Sequence, residues 1–368
     1  MRDALAERLL AEVMRWSPED VALERPDLQA MAAYKYDEYQ QFLPGMRFVE
    51  SLAIWLGKFD TLKERRVAYD FIKKRLIFIS DAEMHHLVSI AYPDHIHPII
   101  LGKAATLLGL PNYQVAKIAN SDEFKLLRRK SLFLGLSDGA RFDELRRASG
   151  LSNEQFYVDY RIAGVIEDLS NKLNEDVKAL GLQPREADKV SFELIFLIND
   201  FSASGDTLLR MEDQPTGKLA KAVEILMDLQ KSDMPLVSRD NVEIFIILYI
   251  ATTKALQTLE ERIPILLPKA CPPCKVHPVY ELSDDIKVSP QNAPDFDSMM
   301  VKYYDPSIMD PHLIKGGPDV IHGYAGCSLP VVLTHNTPNN SVYLLWADQD
   351  NLCTRALFPR VSRHREDI

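Results

Sequence analysis

Asn199 and Asp200 close an apolar run, Ile195-Phe-Leu-Ile198, and are followed at once by the small residues Ser202, Ala203, Ser204 and Gly205, then Asp206 and Thr207. A carboxylate at the end of an apolar strand can accept hydrogen bonds from sugar hydroxyls. Small residues beyond it let backbone N–H groups approach an anion closely. A helix beginning near Thr207-Leu-Leu-Arg210 would add its free N–H groups and the positive end of its dipole. The chemistry these types and spacings predict is the holding of a phosphorylated sugar. The alternative is a plain strand-to-helix turn in which Ser, Gly and Thr serve only capping.

Two further loops repeat the pattern. Ser137, Asp138, Gly139, Ala140 and Arg141 follow the apolar run Ser131-Leu-Phe-Leu-Gly-Leu136. They read either as an anion loop, with Arg141 giving a charge-assisted bond, or as a simple Asp-Gly bend. His335, Asn336, Thr337, Asn339 and Asn340 follow Val331-Val-Leu-Thr334, and Trp346 lies just beyond. There His335 is a candidate acid or base, Asn336 a ligand contact, and Trp346 a platform for a base. A polar turn with a core Trp explains the same residues. Lys254, after the long apolar run Val242–Ala251, reads as a phosphate contact on the same rim or as a solvated helix-start lysine.

The segment around Asp200 resembles the phosphoribosyl diphosphate (PRPP) loop of type I phosphoribosyltransferases. That resemblance implies that Asp200 holds the ribose hydroxyls and that Ala203, Ser204, Gly205, Asp206 and Thr207 cradle the 5′-phosphate. It places the diphosphate loop at Ser137–Arg141 and implies Mg²⁺, with Asp200 as the protein residue at the metal. Two positions depart from the family: Asn199 stands at the first acid, and Ser202 stands where an apolar residue is usual. The chain is most similar to the divergent phosphoribosyltransferase-like proteins of bacterial conflict and antiphage gene clusters. Implied is an enzyme acting at the anomeric carbon of a 5-phosphoribosyl group of PRPP or a nucleotide, with a toxic output. The other reading on the same fold is a non-catalytic nucleotide sensor or regulatory protein that binds a partner.

The elements that must carry these loops come from periodicity. Residues 1–128 read as helices, with helical apolar spacing at Leu5–Met14 and Phe48–Leu56 and a capping box at Ser80–Glu83. From residue 129 the pattern becomes α/β: strand, helix Phe142–Ala148, a long helix Asn153–Leu180, strand Ser191–Ile198, helix Lys218–Leu229, strand Val242–Ala251, helix Thr253–Glu261. Such alternation predicts a phosphoribosyltransferase-like parallel sheet covered by helices, over residues 129–368. Residues 264–318, rich in Pro and Asp, read as a loop insertion, and Gly326–Thr334 and Ser341–Trp346 as the last strands.

Residues 102–120 have the spacing of a helix-turn-helix, with Ala105 between helices, Gly109 at the turn, and Val115 and Ile118 facing inward. An ordinary helix corner is the preferred reading, because the net charge is −10. A protein or nucleic-acid partner for the helical region stays open, as does a homo-oligomer. Cys271-Pro-Pro-Cys274 with His277 invites zinc, but there is no second Cys pair, and the prolines remove N–H groups that such knuckles use. Four cysteines in 368 residues, 46% hydrophobic and 26% charged, are those of an ordinary cytoplasmic protein without a disulfide scaffold. No apolar run reaches membrane length, and the N-terminus is not a signal peptide, so no membrane partner is expected.

Overall fold

The computed structural model describes residues 3–42, 47–158, 166–179, 181, 190–231, 235–347 and 356–361. It divides into two compact units, one of residues 1–84 with 284–368, the other of His85–Ser283. This differs from the boundary expected at residue 128: the last 85 positions cluster with the N-terminal helices, not with the central sheet.

The first unit holds helices α1 (Asp3–Met14), α2 (Pro18–Tyr34), α3 (Phe48–Leu56) and α4 (Leu62–Arg75) and strand β1 (Ile77–Ile79). Helix α5 (Asp81–Ile90) contains the boundary between the units. Capping boxes at Ser17 and Thr61 start α2 and α4, each satisfying two orphan N–H groups. Phe358 explains why the C-terminal segment belongs here. It is fully buried, and the rings of Tyr36, Tyr39, Phe42, Phe48 and Phe78 lie within 6.0 Å of it. Backbone carbonyls of the same segment are also captured. Tyr39 Oη donates to Pro359 O at 2.7 Å, and Ser51 Oγ to Leu357 O at 2.7 Å.

The second unit carries α6 (His97–Leu108), α7 (Val115–Ala119), α8 (Asp122–Arg129), α9 (Phe142–Ser149), α10 (Ile166–Ala179), α11 (Lys218–Lys231) and α12 (Thr253–Leu266). Its strands are β2 (Ser131–Gly135), β3 (Phe156–Val158), β4 (Leu194–Ser202), the short β5 (Arg210–Met211) and β6 (Pro215–Thr216), β7 (Glu243–Thr252) and β8 (Cys274–Leu282). Five of them form one sheet, all parallel, in the order β3-β2-β4-β7-β8. One face packs on α10 and α11: Ile195, Leu197, Ile244 and Ile246 meet Leu169, Leu173, Leu219, Val223 and Leu226. The other face carries a row of stacked rings, Phe156, Phe133, Phe196 and Phe245, with centroids 4.7, 5.0 and 5.3 Å apart from strand to strand. Burial on both faces accounts for the unbroken apolar character of β4 and β7.

Several expectations are corrected. No long helix starts at Asn153: residues 153–155 make a single tight turn and Phe156–Val158 pairs with β2, because Phe156 completes the ring row. Leu180, its expected end, lies outside the described residues. The region 264–318 is not all loop, since β8 is the fifth strand of the sheet and α13 (Pro294–Lys302) is a helix of the first unit. Val331–Leu333 (β9) pairs with β1 in a separate two-stranded sheet, and Tyr343–Trp346 is a short helix, α14. In the 102–120 corner, Gly109 does make the left-handed turn (φ 62°) and Ala105 and Ile118 are buried, but Val115 is exposed and α7 has only 5 residues.

Candidate functional site

The strand order reverses at the β2–β4 pair, since β3 lies to one side and β7 and β8 to the other. In open parallel sheets the crevice beyond the carboxyl ends at such a switch point is where ligands sit. The two loops singled out in the sequence leave from those two strands.

Side-chain alternation along β4 separates the paired polar residues. Asp200 falls on the face of Phe196 and Ile198, whereas Asn199 falls on the face of Ile195 and Leu197, toward α11. There Asn199 is buried; its Nδ2 donates to Phe201 O at 2.8 Å and its Oδ1 accepts from Lys218 Nζ at 3.2 Å. Both ends of the amide are therefore used inside the protein. Asp200 meets the β2 loop instead. Ser137 Oγ donates to Asp200 Oδ1 at 3.1 Å, and a Cβ built on Gly139 would lie 2.6 Å from Asp200 Cγ. Only glycine permits this approach.

The β2 loop is held from below. Leu136 N donates to Ile198 O at 2.8 Å, extending the ladder, and buried Tyr249 on β7 donates its hydroxyl to Ala140 O at 2.7 Å. Burial, then the nearby carboxylates of Glu144 and Asp200, drive the Tyr249 pKa up, so it stays a donor. Arg141 has left-handed backbone (φ 46°), a conformation that costs a non-glycine residue about 1–2 kcal/mol. Its Nη1 donates to Glu144 Oε1 at 3.2 Å, a carboxylate that also faces His85 Nδ1 at 3.1 Å. The Asp138 side chain lies outside the described atoms; its backbone is the first residue of the short 3₁₀ turn Asp138–Ala140.

The β4 loop differs from expectation in one respect. No helix starts at Thr207. The N–H groups of Leu208 and Leu209 both donate to Gly205 O at 3.0 Å, closing one turn, and an antiparallel ribbon, β5 with β6, follows before α11. Pro215 lacks an N–H, and Gly217 (φ 115°) passes so close to Leu208 that a Cβ would lie 2.7 Å from its carbonyl carbon. The helix therefore begins only at Lys218, and its dipole does not point from Thr207. The loop does present unpaired backbone N–H groups. Among the described residues the N–H groups of Ser204, Gly205 and Thr207 have no hydrogen-bond partner, while that of Asp206 donates to Ser204 Oγ at 3.3 Å.

Helix α12, which sequence reasoning did not connect to this loop, fixes it. Arg262 Nη1 donates to Asp206 Oδ1 at 2.6 Å and to Leu209 O at 2.8 Å. Gly205, left-handed at φ 82°, packs on Thr258. Thr252 caps α12 through Ala255 N and donates to Ala203 O at 2.6 Å. Ser202, Ala203 and Ser204 are buried, Asp206 is half-buried and Thr207 is exposed. Lys254 is half-buried in the first turn of α12. Periodicity alone gave no signal for Arg262, which lies 56 positions from Asp206 along the chain.

The third loop falls in the other unit. His335, Asn336 and Trp346 belong to the first unit. Asn336 closes the C-terminal segment: its Nδ2 donates to Val361 O and its Oδ1 accepts from Val361 N, both at 3.1 Å. Trp346 is buried and donates to Ser341 O at 2.7 Å, so it is a core tryptophan and not a base platform. His335 offers its carbonyl to Gln41 Nε2 at 2.8 Å.

The geometry thus gives one acid, a close approach to it that only glycine permits, and a loop of unpartnered amides at one switch point. The model of the PRTase-CE family matches residues 52–360. The chain belongs to the PRTase-CE family. It is a phosphoribosyltransferase-like protein, with the mixed α/β architecture and parallel sheet such a protein requires. No curated protein and no solved structure matches it. Within this PRTase-CE chain, no cluster of three or more His, Cys, Asp or Glu arranged to hold a metal ion occurs among the described residues. Nor is any described helix long and apolar enough to cross a membrane.

Proposed function

We propose that this PRTase-CE protein binds a 5-phosphoribosyl group, as PRPP or a nucleotide, and acts at its anomeric carbon. The observation that carries the reading is Asp200, at the carboxyl end of the middle strand of the sheet, touched by Ser137 Oγ and by Gly139 of the neighbouring loop. Two loops from adjacent parallel strands converge on one carboxylate. Asp200 would hold the ribose hydroxyls and favour positive charge developing at the anomeric centre. The free amides of Ser204, Gly205 and Thr207 would take the 5′-phosphate. The Ser137–Arg141 loop would face the departing diphosphate, with Arg141 exchanging Glu144 for the ligand. Asp200 is the residue that would hold Mg²⁺, a single carboxylate being enough when substrate phosphates supply the remaining ligands. Bound there, Mg²⁺ would neutralise diphosphate charge. The acceptor class is a base, a nucleotide or water. Depletion of a nucleotide pool would suit a toxic effector in bacterial antiphage defence.

A second reading, a nucleotide sensor without turnover, is favoured by one specific observation. Asn199, at the first-acid position, spends both ends of its amide on Phe201 and Lys218 and offers neither to a ligand. Calorimetry with PRPP and Mg²⁺, paired with diphosphate release across a panel of bases, separates the two. Binding with release supports the enzyme, and binding without release supports the sensor. Absence of binding by the wild type, or equal binding by Asp200→Ala, overturns both. A nucleic-acid partner at the 102–120 corner is a separate proposal, removed if no gel shift appears at low salt.

A further inference from the structure

Cys271 and Cys274 flank Pro272-Pro273 in the connection from α12 to β8. Their sulfurs are 3.7 Å apart, and each also lies near Pro272 O, at 3.3 and 3.4 Å. Two prolines stiffen the turn and supply no N–H to a bound metal thiolate. Cys271 is half-buried and lines an open groove of about 670 Å³ with Pro264, Lys269 and Cys274. Cys274 starts β8, paired opposite Ile244. His277 lies an odd number of residues along the same strand and so on its other face, against Phe245 at 5.9 Å. Among the described residues the three side chains form no cluster arranged to hold a metal ion.

We infer that Cys271 and Cys274 form a reversible dithiol–disulfide couple that exchanges with small disulfides entering the groove. Cys271 thiolate attacks one sulfur of the small disulfide, forming a mixed disulfide and releasing one thiol. Cys274, having lost its proton to solvent, attacks Cys271 Sγ, closes the protein disulfide and releases the second thiol. Two electrons pass from the cysteine pair to the small disulfide, which leaves as two thiols. The hydrogen bond from Cys274 lowers the Cys271 pKa, and the same contact, with burial, raises that of Cys274. The order of attack follows from position: Cys271 lies in the turn ahead of the strand, whereas Cys274 is held within β8 by its ladder pairing. The proposal stands independently of the phosphosugar reading.

The test equilibrates the full chain with reduced and oxidised glutathione, then quenches and alkylates it for peptide mass analysis. The expected result is that Cys271 and Cys274 lose alkylation together, with a mass loss of two hydrogens, while Cys327 stays reactive when unfolded. In Cys274→Ser, glutathione is trapped on Cys271; in Cys271→Ser, trapping on Cys274 is slower. Independent oxidation of the two thiols in the wild type overturns the inference, as does protection from alkylation that a chelator removes. The wild-type measurement requires no variant to fold.

Discussion

Replacing Gly139 with Ala tests the central geometry with one methyl group. The new Cβ would lie 2.6 Å from Asp200 Cγ and 3.0 Å from its Cβ, and against Oδ2 as well. Gly139 does not have a left-handed φ, so its backbone accepts alanine; the cost falls on Asp200. Its carboxylate must leave its rotamer, at about 0.5–1.5 kcal/mol, and lose the Ser137 bond, worth about 0.5–1.5 kcal/mol net. Lower entropy of the unfolded chain returns about 0.4–1 kcal/mol. Net destabilisation is therefore between about 0 and 2.5 kcal/mol, too little to unfold a domain that buries this sheet. Ligand binding suffers more. A displaced Asp200 loses charge-assisted bonds to ribose hydroxyls of about 1.5–3 kcal/mol, or roughly 10- to 150-fold in Kd. Urea denaturation and calorimetry with PRPP measure the two effects on the same protein. Gly102→Ala is the control: its Cβ meets nothing within 4 Å inside α6, and it should gain about 0.5–1 kcal/mol with unchanged Kd. Wild-type affinity in Gly139→Ala would refute the claim that Asp200 must stay where Gly139 lets it sit.

Asn199→Ala should cost about 1–3 kcal/mol of stability, because it removes the buried bonds to the Phe201 carbonyl and to Lys218 Nζ, yet change PRPP affinity far less than Asp200→Ala; melting curves and calorimetry check both. Arg262→Ala should release Asp206 and the Leu209 carbonyl. The pair is partly exposed, so the stability loss should be about 1 kcal/mol or less, with weaker affinity for inorganic phosphate as the larger effect. Equal phosphate binding by this variant would detach α12 from the loop.

Much of the second unit was legible in the sequence because its signals are local. The strands β2, β4 and β7 announce themselves as apolar runs buried on both faces, and α11 by Leu219, Val223 and Leu226 at helical spacing. Asp200, Gly139 and Gly205 could be singled out because an acid, small residues and glycine follow apolar strands directly in sequence. Strand β3 was not legible. Residues 153–180 have helical spacing throughout, and only the ring row across four strands pulls Phe156 into the sheet, a tertiary override of local pattern.

The sequence by itself determined the parallel α/β character, the position of the acid and the small-residue loop after it, because strand period and glycine chemistry act over a few residues. Tertiary structure alone decided three things. Asn199 and Asp200, adjacent in sequence, face opposite sides of the sheet, so only Asp200 meets the β2 loop. The His335–Trp346 stretch belongs with the N-terminal helices, because Phe358 and its carbonyl neighbours are buried there by residues more than 300 positions away. The Ser202–Thr207 loop is held by Arg262 of α12 instead of by a helix of its own, because Gly217 and Pro215 delay that helix. Each of these depends on which distant side chain fills a given space, and spacing along the chain carries no record of that.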